Sequence, residues 1–213
     1  MPTIYSAGMA GTIVLQGGGP FVANDELDAR ELVPRGRVVV LPTADAFEQP
    51  RALIDDALVW GGRLGVTVEP LMVLTRHEAG EDAASVVDGS TAVMLVGDSG
   101  SHLRSVLKGT PMFSAIERLL ERGGVVAAVG ASASALCDPM TDRRGGAFAL
   151  GLGLVPGLAV ITESETWSHD KLERAHSLAT TPVVDLPTGS AVVRSAGGWE
   201  LIGDTEVHGD LPG

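Results

Sequence analysis

The chain has 213 residues, of which 45% are hydrophobic and 20% charged, a balance typical of globular proteins rather than disordered ones. This length predicts a single α/β domain over residues 1–213. The net charge of −12 argues against binding to nucleic acid or to a membrane surface. With neither an apolar run of about 18 residues nor a signal peptide, the sequence predicts a soluble cytoplasmic protein.

Short apolar strands alternate with amphipathic helices along the chain, usually with glycine or proline between them. The predicted strands are residues 12–16, 37–41, 66–74, 91–96, 125–129, 158–162, 190–194 and 199–202. The predicted helices lie within residues 43–61, 83–88, 114–122 and 169–178. Pro70 cannot donate a backbone hydrogen bond, so its strand is expected at an edge of the sheet.

This alternation predicts a three-layer sandwich in which a mostly parallel central sheet has helices on both faces. Ligands of such sheets bind beyond the carboxyl ends of the strands. The candidate site therefore lies among the loops that follow five residues: Leu15, Leu41, Val96, Val129 and Thr162.

A candidate nucleophile elbow follows the strand 125–129, in the sequence Gly130-Ala131-Ser132-Ala133-Ser134. A serine between small residues, after a strand and before a helix, is typical of such an elbow. Ser132 would then be the nucleophile, and the amide of Ala133 would help to stabilise an oxyanion. The alternative is that Ser132 only caps the helix.

A serine nucleophile needs a histidine as general base and a carboxylate to orient it. His169 is the preferred base because it follows a rim strand and directly precedes a helix, whereas His77 and His208 are expected on the surface. His102 also follows a rim strand. The acid is open among five carboxylates: Asp138, Asp142, Glu163, Glu165 and Asp185.

The order of these motifs resembles the S51 peptidase family, which includes dipeptidase E and cyanophycinase. The similar segments are Leu15-Gln16-Gly17-Gly18-Gly19, Val38 to Ala44, Val96-Gly97-Asp98, Leu103-Arg104-Ser105 with Lys108-Gly109-Thr110, Gly130-Ala131-Ser132-Ala133, and Ser168-His169 with Arg174 and Leu178. The resemblance implies a class I glutamine amidotransferase-like fold, related to the flavodoxin-like sandwiches.

The resemblance also implies a serine hydrolase that cleaves a small peptide or amide without a cofactor. In this interpretation Ser132 attacks, His169 transfers the proton, and Asp185 takes the place of the family's acid. The amides of Gly97 or Asp98, with that of Ala133, bind the oxyanion. Arg174 matches part of the family's basic helix, and Arg143 and Arg144 are candidates for binding a substrate carboxylate.

The sequence also departs from the family pattern. Val96 replaces a glycine of the oxyanion segment, Ser134 replaces the elbow glycine, and Leu186 replaces a glutamate. These departures favour the alternative hypothesis, an inactive amidotransferase-like module that binds a small molecule or a protein partner.

Other chemistry has weaker support in the sequence. Gly17-Gly18-Gly19 fails the dinucleotide-binding spacing, so a nucleotide-binding protein is only a third hypothesis. No histidine or carboxylate spacing indicates a metal site. Cys137 is expected to be a buried small hydrophobe. A homodimer is expected, because homodimers are the commonest oligomers.

Overall fold

A computed structural model describes residues 10–142 and 147–213. The strands are β1 (Thr12–Gln16), β2 (Arg37–Leu41), β3 (Thr67–Pro70), β4 (Ala92–Leu95), β5 (Val125–Val129), β6 (Cys137–Asp138), β7 (Met140–Asp142), β8 (Ala147–Ala149), β9 (Val155–Pro156), β10 (Ala159–Thr162), β11 (Val183–Leu186), β12 (Ala191–Ser195), β13 (Gly198–Ile202) and β14 (Glu206–His208). The α-helices are α1 (Asp25–Glu31), α2 (Pro50–Leu64), α3 (Glu81–Asp88), α4 (Gly100–Leu107), α5 (Pro111–Glu121), α6 (Ala131–Leu136) and α7 (His169–Leu178).

The central sheet has seven strands in the order β13-β12-β1-β5-β4-β2-β3. The five strands from β1 to β3 in this order pair in parallel, while β12 and β13 add an antiparallel edge. This arrangement confirms the predicted sandwich. Pro70 ends β3 at the outer edge, as its missing donor predicts.

The central strands are buried on both faces, which explains their unbroken apolar sequences. In β1, Ile13 and Leu15 pack into one hydrophobic cluster while Val14 packs into another on the opposite face. The first cluster lies against residues of α3, α4, α5 and α6, and the second contains residues of α1 and α2, including the fully buried Trp60.

Several elements differ from the prediction. The helix expected within 43–61 divides into a 3₁₀ turn, Thr43–Asp45, and α2, because Pro50 suits the first turn of a helix but not its interior. The strand expected at 66–74 ends at Pro70. The strand expected at 158–162 joins a separate three-stranded sheet, β10-β11-β14, instead of the central one.

Within the described ranges, 10–142 and 147–213, none of the helices is both long and apolar enough to cross a membrane.

Candidate active site at the carboxyl rim of the sheet

The loops that follow the predicted rim strands contact one another. Gly130 donates its amide to Gln16 O at 3.0 Å, which joins the loop after β5 to the end of β1. Ser99 donates to Ala44 O at 2.9 Å, which joins the loops after β4 and β2. Glu163 donates its amide to Gly17 O at 3.0 Å, which joins the loop after β10 to the loop after β1. These hydrogen bonds link the loops after β5 and β10 to the end of β1, and the loop after β4 to the loop after β2.

The sharp turn between β5 and α6 lies at Gly130. Its φ of 60° and ψ of −131° are open to glycine at little cost and strained for other residues. A strained residue directly between strand and helix is the position that a nucleophile occupies in an elbow. A Cβ atom built on Gly130 would meet no atom within 4 Å, so a side chain here would project into open space. The elbow position therefore carries no nucleophile.

Ser132 lies two residues further on, inside α6. It is 0% exposed, and its Oγ donates to Gly97 O at 3.3 Å. This hydroxyl joins the first turn of α6 to the loop after β4. The serine predicted to attack a substrate is thus enclosed by the protein and bonded to its backbone.

The three residues predicted to bind the oxyanion, Gly97, Asp98 and Ala133, differ in their surroundings. The Ala133 amide donates to Gly130 O at 2.9 Å, so this donor is already used within the helix start. Gly97 has a φ of +117°, and a Cβ here would lie 2.4 Å from the Asp45 nitrogen, so only glycine fits this approach. Asp98 is exposed beside it.

The predicted base lies on the surface. The His169 side chain is 82% exposed at the start of α7, and its Nε2 lies 3.2 Å from Glu173 Oε1, one helical turn away. Arg174 is exposed on the same helix. Arg143 and Arg144, predicted to bind a substrate carboxylate, lie outside the described residues.

The predicted acid, Asp185, has histidine partners other than His169. Its Oδ1 lies 3.0 Å from His176 Nε2, and its Oδ2 lies 3.4 Å from His208 Nε2. In the described structure, the three residues of the predicted triad therefore have other partners. Ser132 contacts Gly97, His169 contacts Glu173, and Asp185 contacts His176 and His208. This group has no local sequence signal, because helix α7 and two strands of the small sheet each contribute one residue.

The other candidate acids have structural or rim positions. Asp138 Oδ1 accepts from the Gly151 amide at 3.2 Å, and Glu165 Oε1 accepts from the Thr188 hydroxyl at 2.6 Å. Glu163 holds a left-handed conformation, with φ of 48° and ψ of 43°, directly after β10. Its Cγ would lie 2.6 Å from a Cβ on Gly18, so it packs against the glycine turn of β1. Such strain in a non-glycine residue is common at functional sites.

An open cleft of about 340 Å³ lies beside the elbow. It is lined by the loop after β4, the first residues of α4 and α6, and the paired strands β7 and β8: Asp98, Ser99, Gly100, Ser101, Ala131, Met140, Thr141, Asp142 and Ala149. Its polar groups are mainly carboxylates and hydroxyls, which suit a ligand that carries an amino group.

The rim is acidic next to this cleft. Burial raises the pKa of Asp45, and the negative charge of Asp98 raises it further, while the Gln49 amide partly opposes both effects. Burial also raises the pKa of the Cys137 thiol, and the residue is 0% exposed, which confirms that Cys137 is a buried small side chain. The thiol of this cysteine is therefore not a reactive nucleophile.

The fold is that of solved proteins named as peptidases. The chain is similar to a peptidase from an acI-B1 Actinobacterium, with 22% identity over 93% of this chain and 89% of that one and a TM-score of 0.82. It is also similar to a candidate Peptidase E protein from Listeria monocytogenes EGD-e, with 13% identity, 93% and 98% coverage and a TM-score of 0.67. Neither a protein-family model nor a curated protein matches the chain.

Proposed function

We propose that this chain uses a peptidase fold to bind a small peptide or related amide without hydrolysing it. The observation that carries this proposal is the glycine at the elbow. Gly130 has the backbone conformation of an elbow nucleophile but no side chain, whereas the nearby Ser132 is fully buried. Covalent catalysis needs a nucleophile that can reach the substrate carbonyl.

The cleft beside the elbow supports the choice of ligand. Asp98 and Asp142 line it together with hydroxyl groups, and a hydrogen bond between a carboxylate and an ammonium group is stronger than a neutral one. A short peptide with a free amino terminus offers both the cation and the amide donors that these groups accept.

The first test asks whether any serine is activated. Wild-type protein is incubated with a fluorophosphonate probe, and the mass of the intact chain is measured. We expect no adduct, because the elbow carries no hydroxyl. A single adduct that maps to Ser132 and disappears in Ser132→Ala would overturn the proposal.

The second test measures binding by calorimetry with a panel of dipeptides and their N-acetylated forms. We expect saturable binding of at least one free dipeptide, weaker binding of its acetylated form, and no cleavage of the peptide. Asp98→Asn should weaken binding about tenfold, the effect of losing one charge-assisted hydrogen bond. Asp56→Asn, which removes an exposed carboxylate of α2, is the matched control.

The second candidate is the serine hydrolase predicted from the sequence. The peptidase names of the solved structures and the contact between Ser132 and the Gly97 loop favour it. In this mechanism Ser132 attacks, His169 is the base and Asp185 the acid, with Gly97, Asp98 and Ala133 around the oxyanion. It requires a rearrangement that uncovers Ser132 and moves His169 toward it. The fluorophosphonate adduct described above is its diagnostic result.

A further inference from the structure

Two histidines and an aspartate meet on the small β10-β11-β14 sheet. His176 lies on α7, Asp185 on β11 and His208 on β14. One ligand atom from each residue lies within 4.8 Å of the others. The two imidazole rings have their centroids 3.8 Å apart and their planes tilted by 32°, and both Nε2 atoms lie close to the same carboxylate.

The register of the strands explains this convergence. β11 and β14 are antiparallel, with Asp185 directly opposite Glu206. Residues opposite each other share a face of a sheet, and so do residues two apart on one strand. His208 is therefore on the same face as Asp185, and α7 covers that face with His176.

The separations between donor atoms suit a small divalent metal ion. Donors about 2.0–2.1 Å from a tetrahedral Zn²⁺ ion lie about 3.3 Å from one another. The Asp185 oxygens lie 3.0 Å and 3.4 Å from the two Nε2 atoms. Two imidazole ligands favour zinc, cobalt, nickel or copper over magnesium and calcium, which prefer sites made of oxygen ligands.

One polar atom of this group lacks a hydrogen bond. His208 Nε2 is buried, and none of the described residues forms a hydrogen bond with it. Burying a polar atom without a partner is unfavourable. A metal ion held between the rings would use this atom as a ligand and would thereby remove that penalty.

We propose that His176, Asp185 and His208 bind a divalent transition-metal ion of the zinc class. Glu206 is available as a fourth ligand, because its Oε1 lies 3.8 Å from His208 Nε2 and its side chain is 74% exposed. The ion would connect α7 and β14 to β11, which is a structural role. None of its ligands lines the rim cleft.

The test uses the full chain without a histidine tag, after removal of metals with a chelator. Co²⁺ is titrated as a spectroscopic probe, and Zn²⁺ is measured by competition with a chromogenic chelator. We expect one Co²⁺ per chain, visible absorption bands of a low-coordinate site, and displacement by Zn²⁺. The midpoint temperature of thermal unfolding should rise when Zn²⁺ is added, because the unfolded chain does not hold the ligands together.

Three variants identify the ligands. His208→Gln, His176→Gln and Asp185→Asn should each weaken Zn²⁺ binding at least about tenfold. His77→Gln, an exposed histidine outside the group, is the matched control and should bind like wild type. His208 is on the last strand and partly exposed, so its variant is the one expected to fold most readily; circular dichroism of each metal-free variant checks this.

The absence of saturable Co²⁺ and Zn²⁺ binding to the folded wild type would overturn the proposal. So would affinities for folded His208→Gln and Asp185→Asn that equal the wild-type value, since the metal would then be bound elsewhere.

Discussion

The difference between Gly130 and Ser132 determines what chemistry the rim can perform. Both residues belong to one small-residue sequence, and they are only two positions apart. Gly130 is in the strained turn and faces open space, while Ser132 is in the helix and faces the loop after β4. A sequence pattern of small residues does not reveal which of them occupies the turn.

Cysteine substitution distinguishes the two positions directly. We expect the thiol of Gly130→Cys to react rapidly with a thiol reagent in the folded protein, because the space in front of it is open. Ser132→Cys should react slowly, because this position is 0% exposed. The rates are followed by the absorbance of the released thiolate.

The wild-type protein supplies the background for this experiment, because its only cysteine, Cys137, is buried. Faster labelling of Ser132→Cys than of Gly130→Cys would mean that the serine, not the glycine, faces the cleft in solution.

The backbone conformation of Gly130 predicts an effect on stability. Gly130→Ala should lower the free energy of unfolding by about 1–3 kcal/mol, since alanine is strained at this φ and ψ. Gly62→Ala in α2 is the matched comparison, because a Cβ there is equally free of contacts but the backbone is helical. It should raise stability by about 0.5–1 kcal/mol. Urea denaturation measures both, and a similar change in both variants would contradict the strain argument.

Among the helices and strands, the bounds are predicted best where the local sequence pattern is strong. β1, β2 and β5 begin and end where the sequence predicts, because apolar runs rich in β-branched residues are bounded by glycine or proline. Residue periodicity does not predict α4, although Leu103, Val106 and Leu107 form its buried face. Its first residues, Gly100-Ser101-His102, are poor helix formers.

The short strands could not be read from local sequence. β6 to β9 have only two or three residues each, too few for a periodic pattern. The grouping of His176, Asp185 and His208 depends on the pairing of β11 with β14, which is a non-local property. For the same reason, the strand–helix alternation predicted the position of the rim, but not which polar side chains meet there.

The start of helix α5 is stabilised by an N-cap residue, and the contribution of this cap to stability can be measured. Its N-cap, Thr110, accepts a hydrogen bond from the Phe113 amide through its hydroxyl. Thr110→Ala should lower the free energy of unfolding by about 1 kcal/mol. Thr110→Ser keeps the hydroxyl and should lose much less. Equal losses in thermal melts of the two variants would show that the methyl group, rather than the cap, is responsible.

For the whole molecule, a buried carboxyl group links stability to pH. Burial raises the pKa of Asp28 from 3.8 to about 6, although a hydrogen bond of 2.6 Å from Gln16 Nε2 favours the charged form. The folded state therefore holds this proton more tightly than the unfolded state. Its stabilising contribution is complete below pH 3.8 and is lost as the pH rises through 6.

We expect wild type to lose about 2–3 kcal/mol of stability relative to Asp28→Asn between pH 4 and pH 8. Urea denaturation across this range measures the difference. Asp56→Asn removes an exposed carboxylate and controls for the change in net charge. A constant difference between wild type and Asp28→Asn at all pH values would mean that Asp28 titrates alike in both states.

The sheet neighbours of β1 are both synthesised long after β1 itself. β1 is synthesised long before β12, at residues Ala191–Ser195, which covers one of its two edges. Its other neighbour, β5, also arrives more than a hundred residues later. During synthesis this apolar strand therefore emerges without either of its partners, and unpaired strand edges tend to associate with other chains. We expect the nascent chain to depend on protection of β1 until β12 has left the ribosome.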